Sequence, residues 1–112
     1  MVASTTEVRG SVSDFARRLG EGISVEAIIL YGSYANGRPH EYSDIDVAVI
    51  SPDFEGVPTW RRQEIIASLT LDRDRRLAPI GYSSSEYHNP GPHSFLREII
   101  RTGRVVYQAP RG

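Results

Sequence analysis

The sequence predicts a single α/β domain, of the α+β two-layer kind, in which helices pack on a small mixed sheet of about four strands. Three observations carry this prediction. The chain has 112 residues, the usual length of one domain, so residues 1–112 are expected to form one unit. Two short apolar runs rich in β-branched residues, at 25–31 and 45–50, are typical of buried strands. Segments with helical spacing of apolar residues flank these runs.

The first half of the chain is predicted to begin with a helix and to continue into the two strands. Ser4 and Glu7 have the spacing of a capping box, and a helix is predicted over residues 5–20. Its apolar residues recur at helical intervals: Val8, Val12, Phe15 and Leu19. The segment 32–43, between the two strands, is rich in Gly, Asn, Pro and Ser, which predicts a loop with room for one helical turn.

The second half is predicted to add two helices and two strands. Thr59 is expected to cap a helix that runs to about Leu71, and a short strand is predicted over 77–82. A second pair of residues with capping-box spacing starts a helical turn near residue 83. The next helix is predicted to end at Gly103. Its apolar residues lie on one face: Phe95, Leu96, Ile99 and Ile100. A last strand is predicted over 105–107.

The composition excludes several classes of chemistry. All 13 basic residues are arginine, and the chain contains no lysine and no cysteine. Disulfides, cysteine zinc sites, thiol nucleophiles, Schiff-base lysines and Gly-Lys phosphate loops are therefore excluded. No apolar run approaches the ~20 residues that a membrane span requires. The N-terminus has no apolar signal core, so a cytoplasmic location is expected.

The net charge of −1 hides an acidic half and a basic half. Residues 1–56 carry nine acidic residues and four arginines, whereas residues 57–112 carry nine arginines and five acidic residues. The three arginines Arg73, Arg75 and Arg76 form a basic cluster, but no aromatic pattern for base stacking accompanies them. Nucleic-acid binding is therefore not expected. The three histidines, at positions 40, 88 and 93, share no metal-ligand spacing.

Two carboxylates stand at the start of the second strand. Asp44 and Asp46 are two residues apart, so in a strand their side chains point to the same face, with Cα atoms about 6–7 Å apart. Carboxylate oxygens are the ligands that hard cations such as Mg²⁺ prefer. This pair is therefore predicted to bind Mg²⁺.

A phosphate site is predicted at the end of the first strand. Gly32 lets a phosphate approach the backbone, and Ser33 adds a hydroxyl and the amide groups of the following turn. Arg38 lies in the same loop and either contacts a phosphate or is an ordinary surface arginine. A phosphate cradle beside a two-carboxylate grip predicts a metal-bound polyphosphate and metal-assisted displacement at phosphorus.

The run GSYANGRPHEYSDIDVAVI, at residues 32–50, resembles the signature of the polymerase-β-like nucleotidyltransferases. The resemblance is greatest to the minimal nucleotidyltransferases, whose C-terminal part is also similar to residues 94–107. It implies the nucleotidyltransferase fold, with Gly32 and Ser33 at the β- and γ-phosphates and Asp44 and Asp46 on Mg²⁺. An acceptor hydroxyl would then attack the α-phosphate of a nucleoside triphosphate, most simply ATP, and receive AMP.

One position departs from the family pattern. Similar small members often read Asp-Pro-Ile in the third strand, where this chain reads Ala78-Pro79-Ile80. The resemblance therefore places Ala78 at the third-carboxylate position, and alanine neither binds a metal nor accepts a proton. Nearby carboxylates that could substitute are Asp72, Asp74 and Glu86. Two interpretations stay open: an active nucleotidyltransferase, or an impaired module that binds a nucleotide or a partner.

The resemblance also bears on partners. Larger members carry a second helical domain for the acceptor, and 112 residues leave no room for one. A protein partner or a homodimer is therefore expected to complete the acceptor site. Small members are often encoded beside a helical partner of the HEPN type, and act as its antitoxin by adenylylating it. The resemblance implies this toxin–antitoxin setting.

Overall fold

The computed structural model describes residues 2–110 and contains the predicted elements in the predicted order. The helices are α1 (Thr5–Leu19), α2 (Thr59–Leu69), α3 (Ser84–His88) and α4 (Phe95–Thr102). The strands are β1 (Ala27–Tyr31), β2 (Ile45–Ser51), β3 (Leu77–Ser83) and β4 (Arg104–Gln108). Short 3₁₀ turns at Gly32–Tyr34 and Pro52–Phe54 follow the first two strands. Within residues 2–110, no helix is long and apolar enough to cross a membrane.

The four strands form one mixed sheet in the order β3-β2-β1-β4. Strand β1 pairs antiparallel with both β2 and β4, whereas β2 and β3 are parallel. The predicted α+β class with a small mixed sheet is thereby confirmed. Because β1 and β2 are antiparallel, the end of β1 meets the start of β2, and the loop between them lies at this end of the sheet.

Both faces of the sheet are covered, and the two central strands are apolar on both sides. Helices α1 and α2 cover one face, where Phe15, Leu19 and Ile66 pack against side chains of β1 and β2. The shorter α4 covers the other face through Leu96 and Ile99. Burial on both faces explains why β1 and β2 read as continuous apolar runs rather than as alternating ones.

Two helix starts form as the sequence predicts, but the predicted cap at Thr59 is wrong, because Pro58 precedes α2, Thr59 is its first residue and no side chain caps it. In α1, Ser4 Oγ accepts from the amide of Glu7 at 3.1 Å, and the amide of Ser4 donates back to Glu7 at 3.4 Å. Ser83 and Glu86 form the same reciprocal pair at α3, at 3.2 and 2.8 Å. Each box satisfies two amide groups that a helix terminus otherwise leaves without a partner.

A buried arginine, which the sequence did not reveal, fastens α2 to the edge strand β3. Arg62 is 9% exposed, and its guanidinium donates to the carbonyls of Val57 and Gly81 at 2.6 and 3.2 Å. It also forms an ion pair of 2.6 Å with Glu86 of α3 and lies 5.9 Å from the ring centroid of Phe54. One side chain therefore ties together α2, β3, α3 and the turn after β2.

We expect Arg62→Met to lower the free energy of unfolding by about 3 kcal/mol, because it leaves the Glu86 carboxylate and two carbonyls without their buried donor. The matched control is Arg61→Met, which removes a neighbouring arginine whose only ion pair is an exposed 3.3 Å contact with Glu64. This control should change stability by less than about 0.5 kcal/mol. Urea unfolding followed by circular dichroism measures both; equal losses would mean that the Arg62 network contributes little.

Candidate active site

The structure brings the predicted carboxylates and the predicted phosphate loop together at one end of the sheet. Asp44 directly precedes β2 and is exposed, and Asp46 is the second residue of β2 and is half-buried. In the sheet, Asp46 lies opposite Tyr31 of β1 on one side and opposite Ala78 of β3 on the other. These three residues form a row across three strands, on the face that α4 covers.

The glycine at the end of β1 is required on two grounds. Gly32 has φ of +73°, in the left-handed region that side chains other than hydrogen disfavour. In addition, a Cβ at this position would collide with the carboxylate of Asp46. The backbone of the loop therefore passes directly against Asp46. The approach of a phosphate to Gly32 stays a prediction.

The predicted helical turn follows at once and shapes the loop. The carbonyl of Gly32 accepts from the amides of Ala35 and Asn36 at 3.1 and 3.0 Å, and that of Ser33 accepts from Arg38 at 3.0 Å. The Arg38 side chain is exposed and makes no hydrogen bond or ion pair with residues 2–110. Its contact with a phosphate stays a prediction.

The electrostatics of the site favour a bound cation. Burial raises the pKa of the Asp46 carboxyl, and the neighbouring charge of Asp44 raises it further. Among residues 2–110, neither carboxylate has an ion-pair partner. Mg²⁺ is commonly held by one or two carboxylates together with substrate phosphates and water. The donor set of Asp44 and Asp46 beside the Gly32 loop fits one such ion.

The position of the third carboxylate is occupied by an alanine. Ala78 is the direct partner of Asp46 in the parallel β2–β3 ladder, at the place where the family resemblance puts an aspartate. Within residues 2–110, no group of three or more His, Asp or Glu side chains is arranged to hold a metal ion. The site therefore has two acidic residues, not three.

Two of the carboxylates considered as substitutes are engaged elsewhere. Asp74 accepts from Ser11 of α1 at 2.6 Å and from Arg76 at 2.7 Å, and these contacts, that of Arg76 above all, hold its pKa well below the usual range. Glu86 is bound to Arg62 and to Ser83, which is five residues beyond Ala78 along β3, or about 16 Å. Glu86 is therefore too far from the row to contribute to it, and the Asp74 carboxylate is already bound by Ser11 and Arg76. Asp72 is exposed on the segment before β3.

Two histidines and two tyrosines elsewhere in the chain lie outside the carboxylate row. His88 pairs with Glu26 at 2.5 Å, and His40 accepts from the amide of Tyr42 at 3.3 Å. Tyr42 is 84% exposed, so it does not line a pocket wall. Tyr34 accepts a hydrogen bond of 3.0 Å from the amide of Ala3 through its hydroxyl.

An aromatic pair beside Asp46 escaped the sequence analysis. Tyr31 and Phe95 meet edge to face, with ring centroids 5.7 Å apart and planes at 83°. Burial raises the pKa of Tyr31 to about 12, and the nearby Asp46 carboxylate and Tyr82 add to this effect. In the sequence, the position of Tyr31 directly before Gly32 could have indicated that it lies near the site. Its contact with Asp46 could not be predicted, because it depends on the register between β1 and β2.

A titration tests this arrangement. We expect one phenol of the folded protein to ionise near pH 12 in ultraviolet absorbance, and Tyr31→Phe to remove that component. Because the folded pKa lies above the ordinary value of 10, the free energy of unfolding should fall as the pH rises from 10 to 12.

Asp46→Asn should lower the pKa of Tyr31, because it removes a neighbouring negative charge. Tyr42→Phe is the control and should leave the component near pH 12 in place. A Tyr31→Phe titration that retains this component would contradict the assignment.

The sequence relatives agree with this geometry. Residues 11–104 match the family model described as "Nucleotidyltransferase domain". The protein adenylyltransferase MntA of Shewanella oneidensis is 36% identical over 62 residues, which are 54% of this chain and 44% of MntA. MJ0604 of Methanocaldococcus jannaschii, assigned as a protein adenylyltransferase, is 32% identical over 84 residues, or 74% of this chain and 79% of MJ0604. The chain thus spans less than half the length of MntA.

Solved structures share the fold. A Sulfolobus solfataricus protein described as a nucleotidyltransferase superposes with a TM-score of 0.69 at 12% identity, covering 96% of this chain and 90% of that one. A chain from a toxin–antitoxin structure with AMP-PNP gives a TM-score of 0.50 at 22% identity, covering 90% of this chain and 73% of that one. The family match and the MJ0604 relative confirm the resemblance to the minimal nucleotidyltransferases, and the chain belongs to the nucleotidyltransferase domain family of enzymes.

Proposed function

We propose that this chain transfers AMP from ATP to a hydroxyl group of a partner protein, with Mg²⁺ held by Asp44 and Asp46. The observation that carries this proposal is a pair of carboxylates without an ion-pair partner among residues 2–110, one of which, Asp46, packs against the glycine of a phosphate-type loop. The names of two sequence relatives, both protein adenylyltransferases, support a protein as the acceptor.

Each residue of the site has a part in this reaction. Gly32 lets the loop backbone lie against Asp46, so that a triphosphate bound by the loop would lie beside the metal ligand. The Ser33 hydroxyl and Arg38 are in the same loop to bind its oxygens. Asp44 and Asp46 hold the metal ion. When bound, Mg²⁺ neutralises phosphate charge and orients the α-phosphate for in-line attack.

The balance of the reaction shows what is missing. The acceptor oxygen forms a bond to the α-phosphorus, the bond from that phosphorus to the pyrophosphate oxygen breaks, and the acceptor proton must leave. Asp44 and Asp46 are taken up by the metal ion in this proposal, Asp74 is held by Ser11 and Arg76, and Ala78 cannot accept the proton. Proton removal is therefore the step that this site supports least.

A second function follows from the same position. The chain can be an impaired relative that binds a nucleotide or a partner protein without transferring AMP. The observation that favours it is the register of Ala78 with Asp46, together with the engagement of Asp74 and Glu86 elsewhere. In that case the module acts by covering its partner.

The partner that we propose is a helical toxin of the HEPN type, with a homodimer as the alternative. A toxin–antitoxin structure among the fold neighbours supports this setting, as does the resemblance to small antitoxin-type members. We also propose a cytoplasmic location, which agrees with a reaction that uses ATP.

Label transfer separates the two functions. We expect wild type with Mg²⁺ and α-³²P-labelled ATP to label a co-expressed HEPN-type partner, and Asp46→Asn to abolish labelling because half of the metal grip is lost. Ala78→Asp should increase the rate, since it restores a carboxylate in register with Asp46. Labelling by Ala78→Asp alone would assign wild type to the binding function. The absence of both labelling and Mg-ATP binding would overturn the transfer function and the nucleotide-binding form of the second function.

Binding of Mg-ATP tests the site without chemistry. Gly32→Ala and Gly37→Ala both place alanine at a left-handed φ, +73° and +71°, so each should cost about 1 kcal/mol of stability. Only Gly32→Ala drives a Cβ into Asp46, since the Cβ position of Gly37 meets nothing within 4 Å. We therefore expect Gly32→Ala to weaken Mg-ATP binding by at least about tenfold in calorimetry, a change of 1.4 kcal/mol. Equal affinities in the two variants would contradict the proposed site.

A further inference from the structure

One edge of the sheet is open. Strand β4 is at the end of the strand order and pairs only with β1. Val105 and Val106 are 52% and 37% exposed, and the outward-facing backbone groups of β4 have no partner within residues 2–110. An exposed apolar edge of this kind is a template for pairing with another strand.

The opposite edge is closed. Gln63 of α2 donates to the carbonyl of Pro79 at 2.9 Å and accepts from the amide of Gly81 at 3.2 Å. Arg62 occupies the carbonyl of Gly81, and Pro79 has no amide hydrogen to offer. The fold thus protects β3 with side chains from α2 and gives β4 no such cover in the part of the chain that is described.

A cavity of about 670 Å³ lies beside the open edge, between β4 and α1. Its floor is apolar, with Val12 and Leu30, and Arg9 and Arg104 are in its walls. Neither arginine makes a hydrogen bond or an ion pair with residues 2–110, and no acidic residue lines the cavity. An apolar space of this size with two free cations suits an apolar side chain flanked by carboxylates.

We propose that β4 and this cavity bind an extended acidic segment of a partner protein. The segment adds as a fifth strand along β4, places one apolar side chain in the cavity and sets its carboxylates against Arg9 and Arg104. Backbone pairing provides affinity and the cavity provides specificity, as in other cases of strand addition. A bulge in the pairing opposite Ile28 and Ile29 limits the segment to a few residues.

Charge argues against a second copy as the occupant. Strand β4 reads Arg-Val-Val-Tyr-Gln and contains no acidic residue. Pairing two β4 strands would bring Arg9 and Arg104 of both copies to one interface with nothing to neutralise them. An acidic segment neutralises them directly.

The docking surface adjoins the loop of the carboxylate site. Tyr34, which ends the turn begun at Gly32, lines the cavity together with Gly37 and Pro39. A partner held on β4 therefore lies next to the proposed phosphate loop. The inference itself rests on β4 and α1, so it does not depend on whether the chain transfers a nucleotide.

The probe is a fluorescently labelled nine-residue peptide with valine at its centre, glutamate two residues to either side and threonine elsewhere, so that in a strand the valine and both glutamates point to one face. The comparison peptide has lysine in place of glutamate. We expect the glutamate peptide to bind in fluorescence anisotropy and to slow amide hydrogen exchange over residues 104–108. Arg9→Glu and Arg104→Glu should each weaken binding by at least about tenfold. The control Arg97→Glu makes the same charge change on α4 and should leave binding unchanged.

Three results would overturn the proposal. The first is no binding of the glutamate peptide at concentrations up to about 1 mM. The second is equal binding of the lysine peptide, or an equal loss in Arg97→Glu, which would show attraction without a specific surface. The third is a concentration-dependent dimer in sedimentation with slowed exchange over residues 104–108, which would assign the edge to a second copy.

Discussion

The antiparallel pairing of β1 with β2 is the constraint on which the site depends. This register sets Tyr31 opposite Asp46 and turns the chain at Gly32 so tightly that a Cβ there would strike the Asp46 carboxylate. The loop and the acidic pair are distant by many residues in sequence, yet the hairpin brings them into contact. A shift of one residue would send Asp46 to the face of α1 and α2 and destroy the site, because side chains alternate between faces.

Local signals predicted the elements, and long-range contacts decided what those signals could not. Capping boxes at Ser4 and Ser83 and the apolar runs of β1 and β2 act over a few residues, so they are visible in the sequence. The same holds for the spacing of Asp44 and Asp46. The neighbours of Asp46 depend on strand register, and the fates of Asp74 and Glu86 depend on arginines that only the folded chain places beside them. In the sequence, Arg62 cannot be distinguished from the other arginines of a helix, because its partners on β3 and α3 are distant along the chain.

The fold thus positions the acidic site, but the site has two carboxylates where the family resemblance implies three. Strand β3 is held in parallel register with β2 over seven residue pairs and is anchored from outside by Arg62 and Gln63. The side chain at position 78 consequently points to the same face of the sheet as that of Asp46, although alanine has no functional group. The backbone position at which the family resemblance places a third aspartate is therefore kept, but it carries alanine. Two carboxylates with no ion-pair partner among residues 2–110 still concentrate negative charge at one end of the sheet, which favours a bound cation.

One edge of the sheet is covered and the other is open, and this difference limits the assemblies that can form by strand pairing. A sheet that is open at both edges can add copies without end and grow into a fibre. In residues 2–110, the side-chain amide of Gln63 and the proline of β3 block one edge, which leaves β4 as the open edge. Any assembly through that edge must stop after one added strand unless the incoming chain has a free edge of its own. The fold is therefore built for complexes of defined size and against open-ended polymerisation.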